Sequence, residues 1–315
     1  VTAPLVFMGT PEFAVPSLQA LLDAGYDVRG VFTQPDRPVG RGQKLTAPPV
    51  KVLALEAGLP VFQPTRLRGD EAALETLRRL SPAAIVVVAY GQILPESVLS
   101  LPSRGCVNVH ASLLPRYRGA APIQWAVLNG DETTGVTTMQ MEKGLDTGPM
   151  LLERETAIAP DETADALAHR LSRIGAELLV ETLPPYLSGD LVPTPQDDAL
   201  ASYAPMLRKE MATLDWTMPA RTLFNRVRGL APWPGTTSTL AGEAFKVLSS
   251  RPGPGDEAPR APGTLLAIEG DGWHVATGAG TLVIERVQFP GKKPQTAAEA
   301  ARGLRSLAVG AVLGS

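Results

Sequence analysis

The chain has 315 residues, 44% of them apolar and 19% charged, which is the composition of a soluble globular protein at a length that suits two domains. Cys106 is the one cysteine, and that count excludes an internal disulfide framework and any cysteine-rich zinc or iron–sulfur site. Charge divides unevenly: residues 1–205 hold 16 Lys and Arg against 23 Asp and Glu, residues 206–315 hold 13 against 9, so an acidic part precedes a basic one that suits an anionic partner.

Leu5–Met8 reads as a strand, Pro11–Ala24 as a helix with apolar Phe13, Leu18, Leu21 and Leu22, and Val28–Thr33 as the next strand. Helical patterns at Val50–Ala57 and Glu71–Leu80 precede Ala84–Ala89, an all-apolar run of the kind found in parallel strands covered on both faces. Gly105–Val109 follows as a strand. This alternation predicts an open α/β sheet, mostly parallel, with right-handed crossovers. Gly135–Met141 and Met150–Ile158 read as further strands and Thr163–Leu187 as a long helix. Periodicity is then lost over 188–208, where Gly189, Pro193, Pro195 and Pro205 gather, and residues 191–207 are expected to link a domain over 1–190 to one over 208–315. The second domain opens with a helix at Ala220–Gly229. Five short β-like runs follow, Thr236–Leu240, Phe245–Ser249, Gly263–Ile268, Gly272–Thr277 and Thr281–Val287, with spacing that predicts a small β-barrel. Arg251–Gly263 reads as a Pro- and Gly-rich loop. No run of 18 apolar residues occurs and Val1–Gly9 has no basic flank, so a cytosolic chain without a membrane span is expected; the lack of an apolar interface pattern favours a monomer.

Asn108-Val109-His110 closes a strand where ligands bind in open α/β sheets, outside the carboxyl ends of the strands. Alternation puts Asn108 and His110 on one side. An amide and an imidazole there can serve a developing oxyanion and a proton transfer; the same pair can equally be a hydrogen-bonded structural feature. Asp146, held between glycines in Gly144–Gly148, supplies a carboxylate that would orient the imidazole and favour its charged form, or else is a turn residue bonding its own backbone. Between them, Ser112–Pro122 is too rich in Pro, Gly and Arg for a regular element, and Arg116 and Arg118 can pair with anionic groups or with solvent. His169 and His274 have no acidic or cysteine partners at metal-ligand spacing, so no metal site is expected. Neither a GxGxxG nor a Walker sequence is present, which argues against a dinucleotide or ATP site.

Asn108, His110 and Asp146, in this order and with Ser112–Gly119 between them, resemble the signature of the formyltransferases that use 10-formyltetrahydrofolate. Further similarity lies in Phe32–Pro38, Gly40-Arg41-Gly42, Gln124-Trp125, Pro232-Trp233-Pro234 and Gly291-Lys292-Lys293, so it spans nearly the whole chain and falls in the branch that formylates initiator methionyl-tRNA. The resemblance implies a Rossmann-like catalytic domain and an OB-like C-terminal barrel that binds tRNA. It implies 10-formyltetrahydrofolate as co-substrate, no metal, and Asn108, His110 and Asp146 as catalytic residues. Ser112, Leu113, Leu114 and Pro115 are implied to belong to the tetrahydrofolate site, with the pterin reaching the Tyr90–Leu94 loop. The tRNA-contacting loop of the family maps onto Gln34–Pro49, where Arg37, Arg41 and Lys44 outweigh Asp36, although Gln43-Lys44 stands where relatives carry consecutive basic residues. Formyl transfer to another amine, of a sugar nucleotide or glycinamide ribonucleotide, and an RNA-binding protein without catalysis are the alternative readings.

Overall fold

Residues 3–40, 42–254, 260–270, 272–304 and 307–314 are described by the computed structural model. The chain divides into one unit of Val1–Pro122, Thr133–Ala157 and Ala168–Ala204, and a second of Ile123–Glu132, Ile158–Leu167 and Pro205–Ser315.

In chain order the elements up to residue 204 are β1 (Leu5–Gly9), α1 (Val15–Asp23), β2 (Val28–Phe32), β3 (Arg37–Val39), β4 (Lys44–Thr46), α2 (Pro49–Glu56), β5 (Val61–Phe62), α3 (Glu71–Leu80), β6 (Ala84–Val88), α4 (Glu96–Leu99), β7 (Cys106–His110), β8 (Arg118–Gly119), α5 (Pro122–Asn129), β9 (Thr133–Gln140), β10 (Met150–Ala157), α6 (Ala164–Ser188) and β11 (Tyr203–Ala204). Seven strands form the main sheet, in the order β10-β9-β7-β6-β1-β2-β5. The five from β7 to β5 are parallel, as expected from the strand–helix alternation, while β9 runs antiparallel to β7 and β10 antiparallel to β9. Every position of β1, β6 and β7 is buried, which is why these strands read as unbroken apolar runs instead of alternating ones.

The pleat still sorts their side chains. Val6, Met8, Ile85, Val87 and Cys106 join one core with Leu74 and Leu77 of α3 and Val98 of α4, whereas Val109 lies on the other face, against Gly175 of α6. Asn108 and His110 share the parity of Cys106 and so sit on the α3 and α4 side, at the carboxyl end of β7. Helix α3 is set in place by Asp70, whose carboxylate accepts from the Ala73 N–H at 2.9 Å.

The second unit contains α7 (Ala220–Gly229), β12 (Thr236–Leu240), β13 (Glu243–Pro252), β14 (Leu265–Glu269), β15 (Gly272–Ala276), β16 (Thr281–Gln288), β17 (Gln295–Thr296) and α8 (Ala297–Gly303). The strands pair in the antiparallel order β12-β13-β16-β15-β14, with β17 also on β16. Register shifts between β13 and β16, at Val247/Ser249 and Ser249/Ser250, bend the sheet around its core. That core contains Phe245, Trp273 and Phe289, with Phe245 stacked on Phe289 and edge-on to Trp273. Among the described residues β12 and β14 do not pair directly. Residues 310–314 lie between them: Gly314 N–H donates to Thr239 O, Leu313 N–H to Gly263 O, and Ala311 O accepts from Leu265 N–H. The sheet is therefore a curved barrel-like wall whose two edges are joined through a chain segment at one end. Of the expected Arg251–Gly263 loop, residues 255–259 lie outside the described residues; β13 itself runs on to Pro252.

Candidate active site

His110 is buried, and its ring is bracketed by acceptors. Nε2 lies 3.0 Å from the Tyr117 carbonyl oxygen, so Nε2 carries a proton and donates it. Nδ1 lies 3.7 Å from Asp146 Oδ2, close enough for ion pairing but too far for a hydrogen bond. With Nε2 already occupied, Nδ1 is the ring nitrogen left to face a substrate. The neighbouring Asn108 is also buried, and its side-chain amide bonds to no other described residue, so an amide and the Nδ1 edge of an imidazole stand on the same side of one strand end.

Asp146 reaches this point by an indirect route. Because β9 is antiparallel to β7, its last residue, Gln140, lies opposite Val107, at the amino end of β7. His110 is three residues further along, about 10 Å at the rise of a strand. Residues 141–149 must therefore fold back along the sheet. Met141 packs on the α3-side core as the loop sets out, and Asp146 adopts left-handed backbone, φ 54°. Its Oδ2 accepts from the Gly119 N–H at 2.8 Å. Thus all three residues expected to be catalytic come together at one place.

The Ser112–Pro115 segment leaves β7 directly beside them and is fixed by its backbone. The Thr137 hydroxyl donates to Ser112 O at 2.7 Å and accepts from Leu114 N–H at 3.1 Å. Ser112 Oγ donates to Arg116 O at 2.6 Å, Leu114–Pro115 is a cis peptide, and Leu113 lies against Gly135. Ser112 and Leu114 are buried while Leu113 and Pro115 are half-buried.

The loop after β6 lies on the same face. Tyr90 is buried, its hydroxyl lacks a hydrogen-bond partner, and burial followed by the Asp70 charge pushes its phenol up from its ordinary value. Its carbonyl accepts from Thr10 Oγ1 at 2.9 Å and from Gln34 Nε2 at 3.3 Å.

Gln34 in turn accepts from Arg37 Nη2 at 3.1 Å, which ties this loop to the base of the β3–β4 hairpin. The Gln34–Pro49 segment, expected as a loop, contains a short antiparallel hairpin in which Arg37 pairs with Thr46 and Val39 with Lys44. Arg37 and Lys44 are exposed on the hairpin; Arg41 lies outside the described residues. Asp36 is paired elsewhere: Lys51 Nζ lies 2.8 Å from its Oδ1 and the Gln63 amide donates to the same oxygen, and these two partners, Gln63 first, hold its carboxyl below the usual range.

Arg118, read from sequence as a possible partner for substrate anions, is instead buried and engaged within the protein. Its Nε donates to Gln196 Oε1 at 3.0 Å and its Nη2 to Asp198 Oδ1 at 2.7 Å. Gln196, Asp198, Ser202 and Ala204 all lie in the stretch expected as linker, and all bond into the site loops: Ser202 Oγ accepts from Tyr117 N–H, and β11 pairs with β8. No sequence signal marked Gln196.

Residues 4–183 match the family Formyl transferase and residues 206–305 match Formyl transferase, C-terminal domain. The methionyl-tRNA formyltransferase of Trichlorobacter lovleyi is 53% identical over 98% of this chain and 96% of its own length, and that of a Synechococcus species is 50% identical over 95% of each. The chain belongs to the methionyl-tRNA formyltransferase family. Solved structures with this formyltransferase fold include an N-formyltransferase from Helicobacter canadensis, in complex with folinic acid and dTDP-3-aminofucose, which aligns with a TM-score of 0.66 at 17% identity over 90% of this chain and 98% of that one. HypX from Aquifex aeolicus, in complex with tetrahydrofolic acid, aligns with a TM-score of 0.63 at 17% identity over 95% of this chain, which spans about half, 46%, of that longer protein. Among the described residues no group of three His, Cys, Asp or Glu is placed to hold a metal ion, and no helix is long and apolar enough to cross a membrane.

Proposed function

We propose that this formyltransferase moves the formyl group of 10-formyltetrahydrofolate onto the α-amino group of initiator methionyl-tRNA, with Asn108, His110 and Asp146 as its catalytic residues. The observation that carries the assignment is the convergence of Asn108, the His110 Nδ1 edge and Asp146 at the carboxyl end of β7, in a chain similar over its full length to methionyl-tRNA formyltransferases.

The amine attacks as the neutral base, and a free α-amino group with a pKa of about 7.7 to 8 supplies enough of that form near neutrality. Attack on the formyl carbon gives a tetrahedral intermediate; the new C–N bond forms as the carbonyl π pair moves onto oxygen. Asn108 Nδ2–H and the Nδ1–H of His110 in its doubly protonated form donate to that oxyanion, and the Asp146 carboxylate orients the imidazolium. Collapse breaks the bond to N10, which takes up the proton the amine has released, and no covalent enzyme intermediate is formed.

Leu113 and Pro115, the half-buried members of the Ser112–Pro115 turn, offer surface to the folate, while Ser112 and Leu114 hold the turn in shape. The acceptor assignment is supported by the exposed cations Arg37 and Lys44, with Arg41 between them in sequence, and by the basic second domain. In this reading residues 1–190 carry the chemistry, 191–207 connect and 208–315 bind tRNA. The protein acts as a cytosolic monomer without a metal.

Asn108→Ala tests the mechanism: loss of one oxyanion donor lowers kcat roughly 100- to 1,000-fold while tetrahydrofolate binding, measured by fluorescence titration, stays near parental. A near-parental kcat removes Asn108 from the reaction. Offering glycinamide ribonucleotide and an amino-sugar nucleotide beside methionyl-tRNA tests the acceptor, and equal turnover of any of these refutes the tRNA assignment.

A further inference from the structure

Asp146 is held in a conformation and at a distance from its own strand that its sequence neighbours do not enforce. Its φ of 54° lies in the left-handed region, which Asp enters more readily than most residues with a Cβ, so the hydrogen bonds around the turn decide where its carboxylate stands. The supports are visible on both sides. Gln196 Nε2 donates to Asp146 O at 2.8 Å and to Gly148 O at 2.7 Å, clasping two carbonyls of the same turn. From the other side the Gly119 N–H holds the carboxylate at 2.8 Å.

The two supports are connected. Gln196 Oε1 accepts from Arg118 Nε, which fixes which end of the amide faces the loop, since only the nitrogen can donate to two carbonyls. Arg118 immediately precedes Gly119, is buried, and is anchored on Asp198. We infer that Gln196 is the positioning residue for Asp146: its amide, oriented by Arg118, locks the turn that carries the carboxylate to His110. This rests on the catalytic reading of Asp146 given above. Gln196 touches no reacting atom in this scheme, so its effect passes through Asp146 and falls on kcat, with little change in either KM.

The test is steady-state kinetics on the full chain with 10-formyltetrahydrofolate and initiator methionyl-tRNA. Gln196→Glu keeps an acceptor for Arg118 but sets a carboxylate oxygen against the two carbonyls in place of the donors. Misplacement of a catalytic group by about an ångström costs up to roughly 100-fold, so kcat is expected to fall roughly 10- to 100-fold with both KM values within about threefold. If that variant does not give the parental circular dichroism spectrum, Gln196→Met, similar in length and without a donor, carries the same expectation. The deciding measurement is the pair with Asp146→Asn: in that background either Gln196 substitution changes kcat by less than about twofold, because the group it positions is already gone. Near-parental kcat in Gln196→Glu and Gln196→Met, or an undiminished loss in the Asp146→Asn background, overturns the inference. The two failures are distinguishable. An inactive Asp146→Asn beside a normal Gln196→Glu removes only the positioning role, whereas a fully active Asp146→Asn removes the catalytic reading and the positioning role together.

Discussion

Gly119→Ala places one methyl group where the structure has no room for it and where the backbone tolerates no side chain. Gly119 has φ 120°, and a Cβ there would stand 2.8 Å from the backbone oxygen of Ala204, closer than real Cβ atoms come. Strain of this sort costs about 1–3 kcal/mol. Relief comes from rotating the Arg118–Gly119 peptide or from parting β8 from β11, and both stretch the bond from Gly119 N–H to Asp146 Oδ2. A hydrogen bond to a charged group contributes about 1.5–3 kcal/mol. If the whole of that loss reaches the transition state, kcat falls roughly 10- to 150-fold at about 1.4 kcal/mol per decade. Initial rates at saturating 10-formyltetrahydrofolate and methionyl-tRNA measure the second figure, and urea denaturation the first. A Gly119→Ala protein of parental stability with kcat within about threefold of parental would show that this N–H does not hold the Asp146 carboxylate in a place that matters to the reaction.

Reversing one hairpin charge, Lys44→Glu, is expected to raise KM for methionyl-tRNA and leave KM for the folate unchanged, with the salt dependence of tRNA binding flattened by about one unit of slope or more. Equal effects on both substrates would contradict the phosphate-facing role. Cys106→Ala is expected to retain kcat, since direct transfer needs no thiol and burial pushes this one from 9.0 up to about 12. The same burial, with that of Tyr186, also pushed up to about 12 while its hydroxyl donates to Arg104 O, sets an alkaline limit. Both folded values lie above the unfolded ones, so this contribution to stability is intact below about pH 9 and drains away as pH rises toward 12. Urea midpoints measured across that window should fall, and less steeply in Cys106→Ala; parallel curves would refute the linkage. Trp273→Phe removes ring volume from a fully buried site and strands the Ala297 carbonyl that accepts from Nε1 at 2.8 Å, so a loss of about 2–4 kcal/mol is expected by urea denaturation.

What the sequence disclosed depended on how locally each feature is encoded. The apolar run Ala84–Ala89 reads as a covered parallel strand and forms one over Ala84–Val88, and the five short runs after Ala220 point to a β-rich unit from their turn spacing. The Asn108 and His110 pairing followed from strand parity alone. The β3–β4 hairpin was hidden because Pro38 and the Gly40–Gly42 stretch mask any alternation. Asp146 meets His110 because a loop doubles back along an antiparallel neighbour, and no period in the chain reports that direction. Gln196 was invisible for a similar reason: Pro193 and Pro195 make its surroundings read as connector, whereas its partners, Arg118 and the carbonyls of Asp146 and Gly148, lie some 50 to 80 residues away.

The buried thiol of Cys106 has a use beyond its part in the core. It stands two residues before Asn108, fully enclosed, and as the chain's single cysteine it answers alone to any sulfhydryl reagent. Reaction with such a reagent under native conditions must wait for β7 to separate from its cover, so when reclosing outpaces modification the labelling rate reports the free energy of that opening. Repeated with folate, with tRNA and with both, it becomes a clock set into the strand that carries Asn108 and His110, reading how firmly each ligand holds that strand under its cover.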